Sequence, residues 1–233
     1  MNNLAKLLQD IKDNPTLYLD KPSITCLHSF LVGYLGTLSK LGFTQEGWAM
    51  EGFQEWIQER AKTKVSQSWA GIILFGGSER SAFYSFFKLF DEFLKRQEIS
   101  KNEINEAGEN LKYNVDDLKP RIYDYNLSEL LGRIKKSPGM FLGTASITKF
   151  DMYLRGYILA KRELGLALTN QEREFEGFQS WVQEKYGINS GQSWAKIILF
   201  YSIDEYEALQ KFFELYEEYL NRNKNLEVDE NSG

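Results

Sequence analysis

Residues 51–56 read Glu51-Gly52-Phe53-Gln54-Glu55-Trp56, and residues 176–181 read Glu176-Gly177-Phe178-Gln179-Ser180-Trp181. Two near-identical hexapeptides 125 positions apart mark an internal repeat, and a repeat constrains architecture before any single element does. The same shift carries Gln67-Ser68-Trp69-Ala70 onto Gln192-Ser193-Trp194-Ala195, and Ile72 to Phe75 onto Ile197 to Phe200. Toward the N-terminus the shift is 123. There Leu4, Leu7, Leu8 and Ile11 match Leu127, Leu130, Leu131 and Ile134, and Pro15 matches Pro138. Ser23-Ile24-Thr25 likewise matches Ser146-Ile147-Thr148, and Gly33-Tyr34 matches Gly156-Tyr157. Toward the C-terminus the shift is 126, aligning Phe86-Phe87 with Phe212-Phe213 and Leu94 with Leu220. The insertions fall where turns are expected, so a folded unit is read as duplicated whole.

Inside each copy the period is helical. Leu4, Leu7, Leu8 and Ile11 form one apolar stripe at i, i+3, i+4 and i+7. Pro15 and Pro138 end that helix, because the residue before proline is pushed out of helical geometry. Ser23 and Ser146 suit the N-cap of the next helix, and Gly42 and Gly165 suit its left-handed C-terminal exit. A third helix carries Phe53, Trp56 and Ile57, and the last carries Phe83, Phe86, Phe87, Phe90 and Leu94. Ser202 followed by Glu205 resembles a capping box at the start of the copy of that last helix. The run from Trp69 to Phe75 suits either a buried strand or a helix, and Ala70 and Ala195 favour helix. The expectation is an all-α fold of two tandem copies of a roughly five-helix unit, at residues 1–100 and 126–225. Residues 101–125 read as an acidic linker and 226–233 as a disordered tail.

Composition narrows the function. Of 233 residues, 42% are hydrophobic and 15% aromatic, enough for a buried core. The net charge of -5 lies in the linker and tail, since residues 1–100 hold 11 basic and 11 acidic groups and 126–225 hold 13 and 13. One cysteine, Cys26, allows no internal disulfide and fits a reducing compartment. One histidine, His28, argues against most zinc sites and histidine-based catalysis. The N-terminus lacks the unbroken apolar stretch of a secretory signal, and no apolar run approaches the ~20 residues of a membrane helix. A cytoplasmic protein without a cofactor or bound metal is expected. Basic residues do not cluster with aromatics as in a nucleic-acid surface.

Three motifs invite chemistry and are better read as structure. Lys136 to Gly143 resembles a nucleotide-pocket segment of type II topoisomerase ATPase subunits, but no asparagine helix or phosphate loop accompanies it. Cys26 and His28 lie two residues apart on a helix, so they point in nearly opposite directions and cannot act together. Trp56, Trp69, Trp181 and Trp194, with Phe53 and Phe178, would suit a ligand groove, yet a duplicated aromatic stripe is what a core requires.

Partner binding is sought where the copies differ. Glu172, Glu174, Glu207 and Glu214 replace Gly47, Ala49, Ser81 and Lys88, while Arg133, Arg155 and Arg162 replace Asp10, Val32 and Ser39. Residues 126–165 carry 7 basic and 3 acidic groups and residues 166–225 carry 6 and 10, so the second copy is polarised. Such a face is either merely solvated or a docking surface that selects partners by complementary charge. The four glutamates, with Trp48 as an aromatic anchor lacking an aromatic counterpart, are the candidate partner-binding residues.

The order of motifs beginning at Pro138, Gly156, Phe175, Ser193 and Phe212 resembles small bacterial immunity proteins. These are encoded beside polymorphic toxins of the Rhs and contact-dependent inhibition type. The resemblance covers most of both copies, and its motifs are structural. It implies a cytoplasmic, non-enzymatic antidote that blocks a toxin domain by direct binding, with no binding residues carried over by position. A two-unit scaffold or regulatory adaptor is the alternative.

Overall fold

The computed structural model describes residues 4–43, 49–106 and 126–222. Among them no strand occurs, and the chain is all-helical. In order, the helices are α1 (Leu4–Asp13), α2 (Pro15–Tyr18), α3 (Ile24–Lys40), α4 (Phe53–Arg60), α5 (Trp69–Leu74) and α6 (Glu79–Glu106). Then come α7 (Leu127–Lys136), α8 (Pro138–Leu142), α9 (Ile147–Glu163), α10 (Asn170–Glu176), α11 (Phe178–Lys185), α12 (Trp194–Phe200) and α13 (Glu205–Asn221). Trp69 to Leu74 is thus helix. Each half carries more helices than the five read from sequence. Pro15 and Pro138 do not merely end a helix but open one-turn helices from their first positions, where a missing N–H costs nothing. Helix α6 also runs past residue 100 to Glu106. The rest of the expected linker, the expected tail and Trp48 lie outside the described residues.

The described residues of Met1–Ile122 and Met152–Gly165 form one unit, and those of Tyr123–Asp151 and Leu166–Gly233 another. Helix α9 therefore begins in the second unit and ends in the first, so these units do not follow the 1–100 and 126–225 division.

In the first unit the core is a cage of rings around Phe53, which is fully buried. Trp69, Phe86, Phe90 and Phe93 present their edges or tilted faces to it at 5.3–5.7 Å. Burying one such ring is worth about 1.5–3 kcal/mol and each edge-to-face pair about 0.5–1.5 more. Gln54, next in sequence, fixes the neighbouring loop: its Oε1 accepts the Trp69 N–H at 2.6 Å and its Nε2 donates to the Gln67 carbonyl at 3.0 Å. The α3 N-terminus is gripped in turn. Ser23 Oγ accepts the Cys26 N–H and donates to Glu79, while Thr25 donates to Glu79 from both its hydroxyl and its N–H.

The C-terminal part of α9 crosses α3 in this unit at unusually short range. A Cβ on Gly33 would lie 2.1 Å from the Tyr153 carbonyl oxygen, and one on Gly156 would lie 2.1 Å from that of Phe30. The contact is reciprocal, because 30 and 33 map onto 153 and 156 by the same shift of 123. Asp20 and Arg155 pair at 2.9 Å, and Tyr34 Oη donates to Glu163 at 2.5 Å.

The second unit centres on Phe178, also fully buried, with Trp194, Phe212, Tyr216 and Tyr219 at 5.4–5.9 Å. Gln179 accepts the Trp194 N–H at 2.6 Å and donates to the Gln192 carbonyl at 3.0 Å. Ser146 and Thr148 bind Glu205 with the same set of bonds. That overturns the expected Ser202–Glu205 capping box: Asp204 caps α13 by accepting the Glu207 N–H, and Ser202 donates back to the Ile198 carbonyl. Glu205 is unavailable for a local cap because it reaches a residue 59 positions away.

Two predictions arise here. Gly187 leaves α11 with φ +64, whereas Lys62, its counterpart after α4, adopts φ 50 with a full side chain. Lys62→Gly is expected to raise stability by about 0.5–1 kcal/mol in urea unfolding, since relief of left-handed strain exceeds the entropic cost of glycine. A lower midpoint would contradict this.

For Glu79, burial pushes the carboxyl up, but the donors from Ser23 and Thr25 outweigh it and hold the pKa below the ordinary value. A depressed folded pKa means stability that is present above the unfolded pKa of about 4.3 and lost as pH falls through the folded value. Glu79→Gln is expected to cost about 1–2 kcal/mol at pH 7. Its deficit against the parent chain should stay level down to about pH 5 and shrink below about pH 4. A deficit that grows on acidification would refute the assignment.

Candidate functional surface at the α12–α13 corner

Helix α12 turns Trp194, Ala195, Ile197 and Ile198 inward. This register leaves Phe200, at its last position, 80% exposed. The corner that follows adds Tyr201, Ile203 at 91% and Tyr206 at 59% exposure. Four large side chains, Phe200, Tyr201, Ile203 and Tyr206, are thus exposed within seven residues, and exposed apolar surface gathered in one place marks interaction sites. Beside them a shallow groove of about 300 Å³ is lined by Ile188, Ile197, Phe200 and Tyr201, with Lys196 at its side.

The corner is held firmly. Lys211 Nζ donates to the Tyr201 carbonyl at 2.9 Å, Ser202 ties back to Ile198, and Glu207 accepts the Ile203 N–H. Tyr186 stacks on Tyr201 at 4.6 Å. Burial, then the charge of Glu218, pushes the Tyr186 hydroxyl's pKa up, so it stays neutral at physiological pH. An ordered apolar surface loses little freedom when covered, which favours binding. In the first unit Phe75 is 95% exposed at the corresponding position, but Gly76 and Gly77 follow it in place of Tyr201 and Ser202.

The four glutamates read from sequence as partner-binding have different surroundings. Glu172 is 4% exposed and completes a capping box with Thr169 at the start of α10, so it is corrected from a surface residue to a structural one. A carboxylate so placed satisfies backbone donors at the helix start. Glu174 pairs with Arg222 at 3.3 Å, and Glu207 is spent on the Ile203 N–H. Glu214 is exposed on α13. Among the arginines, Arg155 is committed to Asp20.

Glu174 does line a second, more polar cleft of about 480 Å³ with Lys135, Tyr216 and Glu217. Burial, with Glu174 next, pushes Tyr216 up to about 12. Cys26 is buried, and burial raises its thiol, leaving it a poor nucleophile. His28 instead meets the Trp69 ring edge-on at 5.1 Å. Among the described residues no group of three or more His, Cys, Asp and Glu stands ready to hold a metal. No helix among them is long and apolar enough to cross a membrane.

Charge differences between the two halves do not reveal the apolar corner. The signal was present: Tyr201 and Ile203 stand where the first copy has glycine or no residue at all. Comparison with protein families, characterised proteins and solved structures finds no match to this chain.

Proposed function

We propose that this chain is a non-catalytic binding protein built from two tandem copies of one helical unit, which neutralises a bacterial toxin domain by covering it. The apolar corner of Phe200, Tyr201, Ile203 and Tyr206 is the observation that carries this reading. An interface of this class is anchored by a few aromatic and aliphatic side chains, with charges at its rim. Lys196, which lines the groove beside the corner, is the charged side chain given the rim role.

A second reading, a scaffold or adaptor holding one partner on each copy, draws on the exposed Phe75 and Phe200 at matched positions. Co-expression with the toxin domain encoded next to the gene tests the first reading. Rescue of growth and a complex on gel filtration are the expected results. Failure of both would exclude the antidote role. Loss of partner binding on changing Phe75 as well as Phe200 would favour the adaptor.

A further inference from the structure

We propose that the first unit holds a binding site for a small, uncharged aromatic molecule in the cleft along the outer face of α3. The cleft measures about 480 Å³, and Leu31, Val32, Leu35, Met50 and Trp69 supply its apolar walls. That volume lies in the range of small-ligand sites. His28 stands edge-on to the Trp69 indole at 5.1 Å, so two flat rings meet at one end of the cleft. Among the described residues none of the lining side chains is Lys, Arg, Asp or Glu. Against these mainly apolar walls a charged ligand would lose hydration at a cost. The amide of Gln54, also at the cleft, is already committed to Trp69 and Gln67, so recognition rests mainly on apolar and ring contact, with the Ser39 hydroxyl and the His28 imidazole as the other polar groups of the described lining.

Three residues lining the cleft differ from their counterparts in the second half. Gly36, Val32 and Met50 correspond to Leu159, Arg155 and Phe175. Phe175 is a buried ring against Phe178 and Trp194 in the second unit, whereas Met50 offers a flexible chain that adapts to different shapes. Gly36 is the telling residue. Unlike Gly33, it is not required by close packing: an added Cβ would meet only the Tyr153 hydroxyl, at 3.9 Å. A glycine inside a helix costs about 1 kcal/mol relative to alanine, although the space beside position 36 would admit a methyl group. What the glycine does is keep the cleft open.

The test uses the full chain and the neutral fluorophore N-phenyl-1-naphthylamine. Its emission should rise saturably, with one molecule bound per chain. Gly36→Leu and Val32→Arg each import the second half's residue and should weaken binding by about tenfold or more, with the helical circular dichroism unchanged. Replacing Phe200 and Ile203 with serine should leave binding as it was. The proposal fails if binding does not saturate or if both cleft variants bind like the parent chain. It also fails if the serine changes at the α12–α13 corner remove the binding.

Discussion

Gly33→Ala is expected to lower stability by about 3 kcal/mol in urea unfolding, with Gly156→Ala close behind. The added methyl group would meet the carbonyl of Tyr153 in the first case and of Phe30 in the second. Neither obstacle is a side chain that can swing away. The backbones of α3 and α9 must separate, and every contact along the crossing loosens with them, including Asp20–Arg155 and Tyr34–Glu163. Because either methyl forces the same separation, the double variant should cost clearly less than the sum of the two. Gly36→Ala is the internal control, since its surroundings are open. It should be neutral or stabilising by up to about 1 kcal/mol. If Gly33→Ala and Gly36→Ala unfold at the same midpoint, the helices do not approach as described.

The second large effect belongs to the α12–α13 corner. Paired Phe200→Ser and Ile203→Ser changes should weaken partner binding by about 3 kcal/mol or more, a factor of more than about 100. Stability should move by less than about 0.5 kcal/mol, because both side chains stand in solvent. Glu172→Ala should show the opposite pattern. It removes a buried capping box and should cost about 1 kcal/mol of stability while leaving affinity untouched. Loss of affinity from Glu172→Ala at unchanged stability would return the acidic-face idea to favour.

The sequence made the helices legible because apolar periodicity and capping are local signals. Ser23, Ser146, Gly42 and Gly165 stand where α3 and α9 begin and end. What stayed hidden was which residues act on one another at a distance. Glu-Gly-Phe-Gln and Gln-Ser-Trp-Ala were each visible as repeats, but nothing local says that Gln54 holds the Trp69 backbone. Glu205 looked like a capping residue by spacing and instead closes the start of α9. Gly33-Tyr34 and Gly156-Tyr157 were recognised as matches without a reason for a glycine in mid-helix. The reason is tertiary, a backbone approach that only glycine admits.

The candidate site was less legible still, for a physical cause. Acidic side chains announce themselves in a sequence whether they are solvated, paired or capping, and only coordinates separate Glu172 from Glu214. An apolar residue shows the same ambiguity in reverse. Ile197 and Ile203 read alike, and one is buried while the other is almost wholly exposed.

The passage of α9 into the first unit bears on how the chain must come off the ribosome. Residues 152–165 belong to the first unit, yet they are made after all of α1 to α6. The nascent first half meets Tyr153 and Gly156 only once more than 150 residues have been polymerised. Until then the face of α3 around Gly33 lacks the α9 backbone that packs on it in the folded unit. Vectorial synthesis, which normally lets an N-terminal domain finish first, here delivers its last helix late.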